Sequence, residues 1–103
     1  MNRICITGRL VRDPELRTTQ SGKSVCNFSV AVKRRIKAAE GQPDCDFFRV
    51  VAWEKAANFV QTYLTKGRLV EVEGRMQVRK YEKDGTQREA YEIFADSVSP
   101  LDR

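Results

Sequence analysis

Five stretches of the chain alternate between apolar and polar residues with a period of two, which is typical of β-strands with one buried face. They span residues 3–10, 24–35, 45–53, 68–81 and 87–98. Gly8 interrupts the first stretch, and a glycine at such a position predicts a bend or a bulge. The pattern therefore predicts five strands that bury one side of a sheet.

The intervening segments carry turn signals and one helical period. Residues 11–23 contain Asp-Pro and Ser-Gly pairs and predict a loop. From Glu54 to Lys66 the apolar residues recur at helical spacing, and Gly67 supplies a stop signal. Asp84-Gly85 is a typical hairpin turn. The sequence thus predicts a single helix, between the third and fourth strands.

This order of elements matches an all-β fold, the OB-fold, which is a five-stranded Greek-key barrel. A chain of 103 residues forms one domain, here residues 1–103, and can bury a core without disulfides. The OB-fold binds oligonucleotides on the face around its middle strands, although a fold alone does not fix a function.

The third strand has an unusual second face. Its ordinary face carries Phe48, Val50 and Ala52, whereas the other face carries Phe47, Arg49, Val51 and Trp53. Aromatic rings with cations between them suit unstacked bases and their phosphates. The alternative is that both aromatic residues belong to the core. The fourth strand repeats the mixture in Arg75, Gln77, Arg79 and Tyr81, and this repetition favours binding.

The net charge of the chain gives weaker support for a nucleic-acid partner. Nineteen basic against fourteen acidic residues give a net charge of +5, which favours polyanionic partners. The second predicted strand ends in a basic run, residues 33–37. Such a run is either a solvated strand end or a segment that follows a phosphate backbone, and charge alone does not decide between them.

The remaining composition argues against an enzyme. The chain has no histidine, the usual general base and metal ligand. Its acidic residues fit no familiar metal-binding spacing, so we expect no metal and no cofactor. Three cysteines without a short Cys-x-x-Cys spacing indicate reduced thiols. No apolar run is long enough for a membrane span and no signal peptide is evident, so we expect a cytoplasmic protein.

Across nearly its whole length the chain resembles the bacterial single-stranded DNA-binding protein family. The most specific matches are the loop Arg12-Asp13-Pro14-Glu15-Leu16-Arg17 and the strand from Phe47 to Lys55. Further matches lie in residues 2–3, 7–10, 25–32, 63–67, 72–75 and 79–81 and in the final strand. The resemblance implies an OB-fold, sequence-independent binding of single-stranded DNA in replication, recombination and repair, association with the nucleoid, and a homotetramer.

The resemblance also implies roles for individual residues. Phe47, Trp53 and Tyr81 match positions that stack on bases, whereas Ile36 replaces an aromatic residue that often follows the second strand. In the tetramer, residues 3–7 would pair between subunits, with Phe48 near the contact. The basic residues assigned to phosphate, from the resemblance and from the mixture on the fourth strand, are Lys33, Arg35, Arg49, Lys55, Lys66, Arg75, Arg79 and Lys80.

Two points leave alternatives open. Family members usually continue into a flexible linker and an acidic tip that recruits partners, whereas these residues stop at Asp102-Arg103 and do not support such recruitment.

The primosomal replication protein N, a dimeric adaptor for a helicase, shares the fold and the binding of single strands. An RNA-binding OB domain is the other binding alternative, and a nucleic-acid enzyme is the least supported.

Overall fold

The computed structural model describes residues 1–36 and 39–101. Lys37 at the end of the basic run, Ala38 in the following loop, and Asp102-Arg103 lie outside the described residues. The elements are β1 (Ile4–Leu10), β2 (Glu15–Thr18), β3 (Ser24–Lys33), β4 (Cys45–Trp53), α1 (Glu54–Tyr63), β5 (Leu69–Lys83) and β6 (Thr86–Pro100).

The five long strands close into a ring. In the sheet, β1 pairs with β5, β5 with β6, β6 with β4 and β4 with β3, and a further pairing of β1 with β3 completes the circuit. All pairings are antiparallel except that of β4 with β6. The predicted OB-fold and the position of its helix are confirmed, because these strands form the barrel and α1 follows its third long strand.

The core is apolar and lies inside the ring. Within the described residues no polar or charged residue is fully buried. Helix α1 contributes Ala57 and Val60 to this core. The core residues of the strands are Leu10, Cys26, Phe28, Val30, Val50, Ala52, Val70, Val72, Ile93 and Val98.

A sixth strand occupies the segment predicted to be a loop. The four residues of β2 pair with Ser24 to Asn27 of β3. All four are exposed, so no apolar alternation marks the strand in the sequence. Main-chain hydrogen bonding to β3 holds β2 in place, and its prediction as a loop was wrong.

The helix is shorter than predicted. It ends at Tyr63 rather than at Lys66, because Leu64 has an extended backbone and is only 1% exposed. Burial of the Leu64 side chain in the core thus takes precedence over another helical turn. Gly67 follows with a φ of 87°, which suits the predicted stop.

Two glycines allow strands to approach closely. A Cβ atom on Gly8 would collide with the carbonyl oxygen of Ala31, and one on Gly74 with the carbonyl oxygen of Phe94. The register shift of the barrel lies between Glu73 and Gly74, not at Gly8. Gly8 therefore lies where β1 closes onto β3, directly before the two strands pair, and a bulge there was the wrong expectation.

Beyond the barrel, β5 and β6 continue as a two-stranded arm. Its residues from Gln77 to Glu89 are exposed, and the turn at Asp84-Gly85 has positive φ at both residues. Paired positive φ values are typical of a tight two-residue hairpin turn. The predicted Asp-Gly hairpin is confirmed, and it carries Arg79 and Tyr81 out from the core.

Candidate nucleic-acid interface

Strand register places the candidate residues on one surface. Residues directly opposite each other in neighbouring strands point to the same side of a sheet. Arg49 of β4 lies opposite Ser29 of β3 and Glu92 of β6, and Glu92 lies opposite Gln77 of β5. The side that includes Phe47, Arg49 and Trp53 therefore continues across β6 to Arg79 and Tyr81. We call this side the outer face.

Three aromatic side chains on the outer face are accessible to solvent. Phe47 is 65% exposed, Trp53 37% and Tyr81 36%. Phe47 and Trp53 are six residues apart on one strand, which corresponds to about 20 Å. The structure therefore does not place these aromatic residues in the core. The core positions of β4 are Val50 and Ala52, which alternate with the outer-face residues and are buried.

Phe47 and Tyr81 line one cavity. It measures about 400 Å³ and opens where β4 and β6 separate beyond their short parallel pairing. Tyr91 also lines this cavity, and its hydroxyl donates a hydrogen bond of 3.1 Å to the Glu89 carboxylate. This hydrogen bond and the charge of Glu89 raise the pKa of Tyr91. The sequence showed Tyr91 only as a strand residue, and its 60% exposure is what sets it apart.

An open groove of about 460 Å³ separates this cavity from Trp53 and runs over the middle of the outer face. Arg49 and Arg79, both predicted to bind phosphate, line it. Arg12 and Arg17 line it as well, and they were not assigned a role because the segment around β2 was taken for a loop. Three carboxylates, Asp13, Glu15 and Glu92, lie among these four cations, together with Asn27 and Ser29.

Two arginines of β5 lie over aromatic rings. The guanidinium carbon of Arg79 is 5.4 Å from the centroid of Tyr81, and that of Arg75 is 5.5 Å from the centroid of Phe94. Each also faces a carboxylate: Arg79 Nε is 3.4 Å from Glu92, and Arg75 is 4.0 Å from Asp96. The predicted mixture of cations and rings is thus in direct contact here.

Arg49 has a different environment from Arg75 and Arg79. Within residues 1–36 and 39–101 no carboxylate oxygen comes within ion-pair distance of it. Arg49 is exposed and lies between Phe47 and Val51 on the outer face of β4, where it lines both the groove and the cavity of Phe47. An exposed guanidinium with no internal counterion is well suited to bind an anion.

The other cations predicted to bind phosphate do not line the groove. Lys33 shares the side of β3 that carries Ser29, and Arg35 follows it, whereas the guanidinium of Arg34 binds Asp46 at 2.8 Å. The backbone N–H of Lys66 donates to Asp13, so Lys66 adjoins the rim of the groove. Lys55 lies in the first turn of α1, and Lys80 points to the opposite side of the arm from Arg79.

The part of the chain that the structure describes contains neither a candidate metal site nor a candidate membrane-spanning helix. No group of three or more histidine, cysteine or acidic side chains is arranged to hold a metal ion. None of the described helices has the length and apolar character that a membrane crossing requires.

Comparison with known proteins agrees with the geometry. The model of the single-strand binding protein family matches residues 1–101. "Single-stranded DNA-binding protein 1" of Staphylococcus aureus (strain Mu50) is 46% identical over 99% of this chain and 66% of the relative. "Single-stranded DNA-binding protein 3" of Listeria innocua is 45% identical over 99% of this chain and 64% of the relative. "Single-stranded DNA-binding protein 2" of Clostridium acetobutylicum is 44% identical, with 99% and 77% covered.

The chain spans about two thirds of the length of the first two relatives. The match nevertheless extends over almost all of this chain, from the first strand of the barrel to the last. The predicted resemblance is thereby confirmed, and the chain belongs to the single-strand binding protein family.

Proposed function

We propose that this domain binds single-stranded DNA along its outer face without regard to sequence. The observation that carries the proposal is the row of exposed rings with a cationic groove between them. Bases stack on Phe47, Trp53 and Tyr81, and the basic residues in and around the groove neutralise the backbone. The names of the similar proteins, each called a single-stranded DNA-binding protein, support the same ligand.

Stacking explains why sequence has little effect on binding whereas strandedness has a large effect. Each stacked base contributes about 1–3 kcal/mol, and every base has a π face. Paired bases in a duplex hide these faces, so a duplex gains only the contacts to its phosphates. Those contacts release counterions, and each contributes about −0.7 to the slope of log K against log salt for a single strand.

The proposal extends to a non-enzymatic role in replication, recombination and repair, close to the nucleoid. It includes a homotetramer, in which several barrels wrap one strand and gain avidity. Support for assembly comes from β1: among the described residues its pairing partner from Ile4 to Gly8 is β5 alone, so the other edge is open. An open edge can add a strand from another copy.

Binding competition tests the ligand. A fluorescent dT oligonucleotide is titrated with the protein, and its anisotropy is then followed on addition of unlabelled dT, RNA of the same length, or duplex DNA. We expect unlabelled dT to displace the probe at much lower concentrations than duplex does. If duplex competes equally well, the rings do not stack on bases; if RNA competes better, the domain is an RNA-binding module.

Light scattering tests the assembly independently. A mass of four chains agrees with the proposed tetramer. A stable dimer would instead favour the adaptor function of a protein that resembles primosomal replication protein N.

A further inference from the structure

Glu92 adds a negative charge to the groove that we propose to bind a polyanion. Its side chain is only 17% exposed, and it lies on the outer face directly opposite Arg49 on the neighbouring strand. A carboxylate among the phosphate-binding cations repels phosphate and costs affinity.

Glu92 also contacts Arg79 directly. Its Oε1 atom accepts a hydrogen bond of 3.4 Å from Arg79 Nε. In the same arrangement the guanidinium carbon of Arg79 lies 5.4 Å from the centroid of Tyr81. The Arg79 side chain thus contacts a carboxylate and a ring at the same time. The first contact occupies the guanidinium that would bind a phosphate, and the second occupies the Tyr81 ring that would stack on a base.

We propose that Glu92 is an internal competitor of the DNA backbone for Arg79. In the free protein Glu92 neutralises Arg79 and keeps it over the Tyr81 ring. A phosphate that enters the groove takes Arg79 from Glu92, and as the guanidinium moves it leaves the ring face to a base. Occupation of the phosphate site and of the stacking site is thereby coupled. This inference rests on the proposed function, because it describes how the same groove receives its ligand.

The matched test compares Glu92→Gln with Glu71→Gln. Both variants remove one negative charge and keep the size of the side chain, but Glu71 is an exposed residue of β5 that lines neither the groove nor the cavity. Binding of a fluorescent dT oligonucleotide is measured by anisotropy at several salt concentrations for the wild type and both variants. Thermal unfolding of each variant verifies that the barrel is intact.

Glu92→Gln is expected to tighten binding about two- to five-fold at low salt, as expected for removal of one partly exposed ion pair. The slope of log K against log salt becomes steeper by up to about 0.7, because a phosphate that binds Arg79 then displaces a counterion from solution instead of the Glu92 carboxylate. In the background of Arg79→Ala this gain shrinks, because the competition acts through Arg79. Glu71→Gln changes affinity less and leaves the slope as it is.

Two results would overturn the inference. If Glu92→Gln behaves like Glu71→Gln, Glu92 does not compete for Arg79. If Glu92→Gln weakens binding, Glu92 positions Arg79 productively instead of withholding it. Failure of the proposed function gives a different result: the wild type itself does not bind the dT oligonucleotide in preference to duplex.

Discussion

Trp53 of β4 lies directly opposite Val25 of β3, and both side chains share the outer face. Val25 is only 2% exposed, whereas Trp53 is 37% exposed. The indole therefore sits beside a buried neighbour and still presents part of its surface to solvent. A ring beside a buried cross-strand neighbour has less room to move than a ring on an open surface, and such preorganisation lowers the entropic cost of stacking a base on it.

Replacement of Trp53 by Ala should weaken binding to all single strands alike, because a π face has no sequence preference. We expect a loss of about 1–3 kcal/mol, measured by anisotropy with dT, dC and mixed-sequence oligonucleotides. Tyr63→Ala serves as the control, since Tyr63 is an exposed aromatic residue on α1 that packs on Phe59 and lines neither the groove nor the cavity. Equal effects of the two substitutions would contradict the assignment of Trp53.

Phe47→Ala should separate binding from stability more cleanly. Phe47 is 65% exposed, so its removal should change the free energy of unfolding by less than about 0.5 kcal/mol. Affinity for single strands should nevertheless fall by about 1–3 kcal/mol, since one stacking platform is lost. Urea unfolding and anisotropy on the same sample check both quantities. A variant that is destabilised but binds normally would make Phe47 a structural residue.

Arg49→Gln should act through phosphate and not through bases. The slope of log K against log salt should become shallower by about 0.7, for one lost contact, with the same change for every sequence. Arg34→Gln removes the same charge, but the guanidinium of Arg34 already binds Asp46 at 2.8 Å. A change of slope as large in Arg34→Gln as in Arg49→Gln would show that only net charge matters and that Arg49 has no special place.

Cys26 should resist alkylation, whereas Cys5 should react. Burial raises the pKa of the Cys26 thiol from 9.0 to about 11, with a smaller contribution from the charge of Glu15, and Cys5 is exposed. Thiolate is the reactive form, so iodoacetamide at pH 8 should modify Cys5 first and leave Cys26 intact in the folded protein. Mass spectrometry of peptides checks this, and rapid modification of Cys26 would show that the core opens readily.

The same shift predicts how stability depends on pH. The folded state holds the Cys26 proton more tightly than the unfolded state does. The resulting stabilisation is complete below pH 9 and disappears as the pH rises through about 11. The free energy of unfolding should therefore fall with pH more steeply in the wild type than in Cys26→Ala over this range. Parallel pH profiles would contradict the raised pKa.

Much of the fold follows from the sequence, because a two-residue period reports which side of a strand is buried. The alternation from Phe47 to Trp53 predicted both the buried side of β4 and its exposed rings. Strand β2 gave no such signal, since all four of its residues are exposed. The end of α1 was missed because burial of Leu64 depends on the tertiary structure.

The contacts within the site could be predicted only in part. That Arg79 and Tyr81 share a side of their strand follows from their spacing. That they share it with Arg49 depends on the register between β4, β6 and β5, which no local pattern contains. The same register brings Glu92 next to Arg79 and lets Tyr91 line the cavity of Phe47. The binding roles of all these residues stay predictions.

Fluorescence of the single tryptophan tests the central claim most directly. Trp53 reports only on its own surroundings, so the ligand and the site are examined together. Titration with poly-dT should quench its emission strongly, with an affinity that falls as salt increases, whereas duplex DNA at the same phosphate concentration should leave the emission nearly unchanged. Unchanged emission with saturating poly-dT, or equal quenching by duplex, would contradict stacking of bases on the outer face.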